Sequence, residues 1–239
     1  MLTYLYLFLN IFSISYPLFK TWDERVLMRQ NQKEIWFSIV IVAFVFIVWD
    51  SVFTSFGFWG FNQNYLVGLS IVNLPIEEVL FFFCIPYACV FIYEVIRYYD
   101  KNNSVQKWGK RINVVWLLLS VGLLITGWEK WYTFLTAILL ILLLSVHQFV
   151  LTNNRAYLGR FYLAFLFILI PFLLVNGVLT GSFIPDQVVW YNESEIIGFR
   201  LYTIPVEDTF YCLLMMLSVI TIYESSLRRK GNVQKIGYE

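Results

Sequence analysis

Charge is scarce in this sequence: Asp, Glu, Lys and Arg make up 14% of its 239 residues, against 59% that are hydrophobic. A soluble domain needs more polar surface than that, its apolar fraction being nearer one half. An integral membrane protein is therefore predicted. Cysteine and histidine are also rare. Cys84, Cys89 and Cys212 are scattered through apolar stretches, and His147 is the single histidine. Their spacing does not suit a transition-metal centre, so the cysteines read as buried apolar residues and the histidine as a hydrogen-bonded packing residue. No Gly-x-Gly-x-x-Gly stretch and no soluble segment of domain size occurs. No bound flavin, nicotinamide or other cofactor is expected. The start, MLTYLYLFLN, lacks a basic n-region and a small-residue cleavage site, and reads as a retained first helix.

What the sequence has in quantity is long apolar runs. Seven stretches reach or approach the length of a membrane-spanning helix: 2–19, 35–58, 74–96, 114–129, 132–151, 161–180 and 201–223, the fourth being the shortest. The fold class predicted is all-α and integral to a membrane. If the spans alternate, all but two of the 17 Lys and Arg fall on one side, leaving Lys130 and Arg200 on the other. Under the positive-inside rule the chain is a multi-pass protein of the cell (inner) membrane, with its N-terminus outside and its C-terminus in the cytoplasm. Aromatics make up 20% of the chain and 23 of them are Phe, more than interfacial belts require, which points to an aromatic-lined interior.

The sequence also repeats itself. A shift of 130 residues lays Phe61 to Glu94 on Tyr191 to Glu224 without a gap. It matches Asn62 with Asn192, Gly68 with Gly198, Pro75 with Pro205, Glu77 with Glu207, Glu78 with Asp208, and Ile-Tyr-Glu at 92–94 with the same triplet at 222–224. Further upstream a shift of 126 pairs Asp50 and Thr54 with Asn176 and Thr180. This is an internal duplication. It divides the chain into a first three-helix repeat at 1–113, a linker helix at 114–129 and a second repeat with a cytoplasmic tail at 130–239. One intervening span makes the repeats run parallel, about an axis along the membrane normal.

The duplicated motif carries acids: NLPIEE at 73–78 and TIPVED at 203–208. One copy alone resembles an ordinary helix start, with Pro in the first turn, Asn73 or Thr203 as cap, and acids complementing the helix dipole. Two copies of a carboxyl pair at the threshold of apolar helices repeat a cost that ionisable groups in a membrane carry for function. Helical spacing stacks Glu77 over Phe81, Glu78 over Phe82, Glu207 over Tyr211 and Asp208 over Cys212. The pairing predicted across the repeat axis sets Glu77 toward Glu207. Burial and a like-charged neighbour favour a neutral acid there, whereas the helix N-terminus favours the anion.

Asp50-x3-Thr54, Trp59 and LPIEEVLFFF, followed by NGVLTG, WYN and IPVEDTFY, closely resemble the carotenoid lycopene cyclase domain family. These are small integral-membrane cyclases, found as two subunits in some bacteria and as one fused chain in others. The resemblance covers nearly the whole chain and implies proton-initiated, non-redox cyclisation of the ψ-ends of lycopene to β-ionone rings. It implies Glu77, Glu78, Glu207 and Asp208 as acid and base, with Asp50, Asn62, Asn176 and Asn192 as supporting polar groups. Trp59, Phe81, Phe82, Tyr191 and Tyr211 are the rings expected to face a passing cation. Lycopene and the bilayer are the partners implied, with no nucleic acid and no metal; other carotenoid enzymes or a second copy stay open. Asp208 and Asn176 stand where the first half has Glu78 and Asp50, so equivalence of the halves is open too. The alternatives are a cyclase making ε or γ rings or taking longer carotenoids, and a small-solute transporter of three, one and three spans. A retinal protein is excluded, because residues 201–223 contain no Lys for a Schiff base.

Overall fold

In lipid, a backbone satisfies its N–H and C=O groups within a helix or a closed barrel, and here the apolar runs become helices. The computed structural model describes residues 3–23, 28–100, 104–151 and 156–236. Its helices are α1 (Leu5–Lys20), α2 (Gln32–Ser55), α3 (Ile76–Tyr99), α4 (Gln106–Thr126), α5 (Trp131–Ser145), α6 (Ala156–Leu179) and α7 (Val206–Ile236). A π-turn at Val146–Val150 prolongs α5. Among the described residues six helices are long and apolar enough to cross a membrane; α1, at 16 residues, is apolar but shorter. The chain is an all-helical membrane protein.

Three helix starts lie five or more residues from the sequence expectation, α6 beginning at Ala156 rather than 161. α4 begins at Gln106 rather than 114, taking Lys107, Lys110 and Arg111 into its first turns. Lys107 and Arg111 lie over the Trp108 ring, 5.9 and 5.3 Å from its centre, so long cationic side chains extend the helix past its apolar part. α7 begins at Val206 rather than 201 because the preceding residues form a hairpin, and it runs on to Ile236. Arg25, Lys101 and Arg155, which entered the charge count, lie outside the described residues.

Short strands cap one end of the helices. β1 (Trp59–Phe61) pairs antiparallel with β4 (Val189–Tyr191), Trp59 opposite Tyr191 and Phe61 opposite Val189. β2 (Ser70–Ile71) with β3 (Leu74–Pro75), and β5 (Arg200–Leu201) with β6 (Ile204–Pro205), form two hairpins leading directly into α3 and α7. Neither helix start is capped as the motif suggested. The Asn73 amide instead donates to Ser51 O at 2.8 Å and to Ser55 Oγ at 2.9 Å, and Thr203 Oγ1 bonds with Thr180 at 2.8 Å and Ser182 at 2.6 Å. Each ties its hairpin to the preceding helix. Gly68 and Gly198 take left-handed φ values of 88° and 85° at matching points, a conformation that glycine adopts without penalty.

Contacts between the halves are reciprocal. Asn62 N donates to Val188 O and Asn192 N to Phe58 O, both at 2.8 Å, so each bond maps onto the other under the 130-residue shift. At the opposite end of α3 and α7, Tyr93 donates to Glu224 and Tyr223 donates to Glu94 at 3.0 Å. Arg97 departs from the symmetry: it lies 3.2 Å from Glu94 and 3.4 Å from Glu224 and neutralises both, while Leu227 holds the matching place.

Candidate active site

The first turns of α3 and α7 point Glu78 and Asp208 into one cavity of about 70 Å³. Every helix except α4 contributes to its wall: Tyr6 from α1, Asp50 from α2, Phe81 and Phe82 from α3, Tyr132 from α5, Asn176 from α6, and Tyr211 and Cys212 from α7. Trp59, Phe61, Val189 and Tyr191 of the β1–β4 ladder roof it. The acids are almost wholly out of solvent, Asp50 2% and Asp208 4% exposed.

The two halves treat their acids differently. Asp208 accepts three hydrogen bonds: from Tyr132 at 2.7 Å, Tyr191 at 2.9 Å and the Asn176 amide at 2.8 Å. Burial, and then the charge of Asp208, push the Tyr191 phenol well above its ordinary value, so it remains a neutral donor. Three donors suit a carboxylate, which only accepts. Glu78 accepts from Tyr6 at 2.5 Å. Asp50 accepts from the Trp59 indole through Oδ1, while its Oδ2 is buried without a partner among the described residues. Asp50 and Glu78 lie within each other's electrostatic reach.

Around the acids the wall is aromatic. Tyr132 and Tyr191 are stacked, with centroids 5.9 Å apart and planes 17° apart, and Trp59 meets Tyr132 edge-on at 5.0 Å. Tyr211 closes on Tyr132 at 6.1 Å, and Phe81 on Phe82 at 5.7 Å. Such rings present negative faces to a cation.

Of the residues singled out from the sequence, the cavity gathers Glu78, Asp208, Asp50, Asn176, Trp59, Phe81, Phe82, Tyr191 and Tyr211. It does not gather Glu77, Glu207, Asn62 or Asn192. Glu77 and Glu207 turn toward the loops in front of their own helices, accepting from Val67 N at 2.6 Å and Ile197 N at 2.7 Å. Thr133 adds a bond to Glu207 at 2.7 Å. The pairing of Glu77 with Glu207 across the axis gives way, one residue on, to Glu78 and Asp208 facing the same cavity. Asn62 and Asn192 accept at 3.0 Å from the backbone two residues ahead and so shape turns. His147 bonds Leu143 O at 2.9 Å and Tyr157 at 3.0 Å and does not line the cavity. No group of three or more His, Cys, Asp and Glu among the described residues is arranged to hold a metal.

Tyr6 and Tyr132 are the site residues that sequence reasoning missed. The 126-residue shift that joins Asp50 to Asn176 also joins Tyr6 to Tyr132, and each phenol donates to the acid of its own half.

Fold and site together define a polytopic membrane protein with a buried, acid-bearing, aromatic chamber at one end of its helices. The lycopene cyclase family model matches residues 3–96 and 129–225, and the chain belongs to that family. A bifunctional lycopene cyclase/phytoene synthase of Aspergillus niger is 28% identical over 97 residues, a stretch amounting to 38% of this chain and 17% of that protein. The match thus spans under a fifth of that relative's length. No solved structure matches the chain.

Proposed function

We propose that this protein is a lycopene β-cyclase that closes the ψ-ends of lycopene into β-ionone rings by moving protons alone. The observation that carries the reading is the single cavity in which Asp50, Glu78 and Asp208 face a wall of aromatic rings. Asp50 and Glu78 share a proton, and that proton adds to the terminal double bond, leaving a tertiary cation. The neighbouring double bond attacks the cation, forming the ring's carbon–carbon bond and moving the charge to the next carbon. Asp208 then removes a ring proton, restoring a double bond. No atoms or electrons are gained or lost, so the product is an isomer of the substrate. Trp59, Tyr132, Tyr191 and Tyr211 stabilise the cation in passing. The β1–β4 roof keeps out water that would quench it.

In this reading, α1–α3 and α5–α7 are parallel three-helix halves joined by α4, which takes in residues 106–113 of the first repeat as bounded from the sequence. The reciprocal bonds of the strand ladder and of Tyr93 with Glu224 and Tyr223 with Glu94 support it. The charge distribution supports an external N-terminus and a cytoplasmic C-terminus; a reporter fused after Glu239 that read as external would contradict this. The function is tested by expressing the chain in a lycopene-accumulating bacterium and separating its pigments. γ-Carotene and β-carotene are expected. Unchanged lycopene from protein that reaches the membrane would refute the cyclase reading, and ε-rings would correct the ring type.

A further inference from the structure

We infer that the polyene reaches the chamber sideways from the bilayer, through a slot between α3 and α6, and that the matching route between α2 and α7 is shut by Trp49. The inference rests on the cyclase reading above. The cavity wall is nearly two-fold symmetric except along α6 and α2: Phe172 of α6 lines it, while Phe46, its counterpart at the 126-residue shift, does not. Phe172, Val175 and Asn176 share one face of α6, as Phe46, Trp49 and Asp50 share one face of α2. On the α2–α7 side that face is sealed. Phe46 and Trp49 each pack on Tyr211 with centroids 5.0 Å apart, and Phe46, Trp49 and Met215 are all buried.

On the α3–α6 side, Phe172, Val175 and Ile85, which correspond to Phe46, Trp49 and Met215, are half-buried. Next to them Leu173 and Leu174 are exposed and apolar, as a lipid-facing surface would be. A valine where the other half has tryptophan leaves the slot. Trp49 also buries an indole N–H that has no acceptor among the described residues. Its place therefore owes to bulk rather than to a hydrogen bond. With the hairpin end roofed, the half-buried apolar rim is the way by which one end of a long hydrocarbon chain threads to the acids while the remainder stays in lipid.

The test uses full-length protein in proteoliposomes supplied with lycopene. Val175→Trp copies the plug of the sealed side, and Phe172→Trp fills the slot from the neighbouring turn. Leu174→Trp, facing lipid on the same helix, is the control. Each is compared with wild type for amount in the membrane, thermal stability and kcat/KM. A loss of about tenfold or more in kcat/KM is expected for the slot variants that retain wild-type stability, with the control unchanged. If Val175→Trp fails to accumulate, Phe172→Trp decides. Wild-type kcat/KM in stable slot variants would overturn the inference. Wild-type protein that makes no ring from lycopene would instead overturn the cyclase reading on which it rests.

Discussion

Asn176 donates its amide N–H to Asp208 at 2.8 Å, and at the matching place in the first half Asp50 has no N–H to offer Glu78. In the proposed mechanism Asp208, with this permanent donor, is the anion, and Asp50 with Glu78 carries the proton. That mechanism makes the second half the base and the first half the acid. Asp50→Asn gives the first half the chemistry of the second. It should lower ring formation by about 100-fold or more while the protein still accumulates in the membrane, as pigment analysis at matched expression would show. Near wild-type carotene from this variant would mean that no shared proton is needed.

Neighbouring acids should behave oppositely. Glu78→Gln and Asp208→Asn remove groups that line the cavity, and each should lower cyclisation by about 100-fold or more. Glu77→Gln and Glu207→Gln keep a carbonyl oxygen for the loop N–H of Val67 or Ile197 and should retain most activity. Turnover of the four variants, normalised to membrane protein, checks the assignment. Equal losses in all four would show that the motif acts as a unit.

The phenols that meet the acids should matter in a definite order. Tyr6 is the hydrogen-bond donor seen on Glu78, whereas Tyr132 is one of three on Asp208. A hydrogen bond to a charged group contributes about 1.5 to 3 kcal/mol, so Tyr6→Phe should slow the reaction about 10- to 100-fold. Tyr132→Phe should fall at or below the lower end of that range. Steady-state rates of the two purified variants would reveal the ranking.

Far from the chamber, Arg97 neutralises Glu94 and Glu224 where α3 meets α7. Arg97→Met would leave two buried carboxyls facing each other without a cation, a loss of about 3 kcal/mol. Thermal unfolding in detergent should show the drop, and activity per folded molecule should be kept. A melting temperature equal to wild type would mean that the cluster contributes nothing to stability.

Much of this organisation is legible in the sequence because apolar run length, the 130-residue shift and the Pro-x-Glu-acid motif are local patterns. Which of two adjacent acids faces inward is not local. Glu77 and Glu78 sit about 100° apart on one helix, and their directions are set by the hairpin before α3 and by how that helix packs. The loop N–H groups of Val67 and Ile197 engage the first acid of each pair, and nothing in the motif itself announces them. Tyr6 and Tyr132 lie in apolar helices where a lone tyrosine reads as part of an interfacial belt. The starts of α4 and α7 are hidden in the sequence for a related reason. Lys107, Lys110 and Arg111 have the composition of a loop, and residues 201–205 of the hairpin that of an apolar span.

The proposed ring closure is driven by protons alone. Purified protein should be given lycopene in D₂O, without flavin or nicotinamide, and the product examined by mass spectrometry. Cyclised carotene carrying a solvent deuteron for each ring formed is expected. Ring formation that requires a reduced flavin, or a cyclised product free of deuterium, would contradict the proposal.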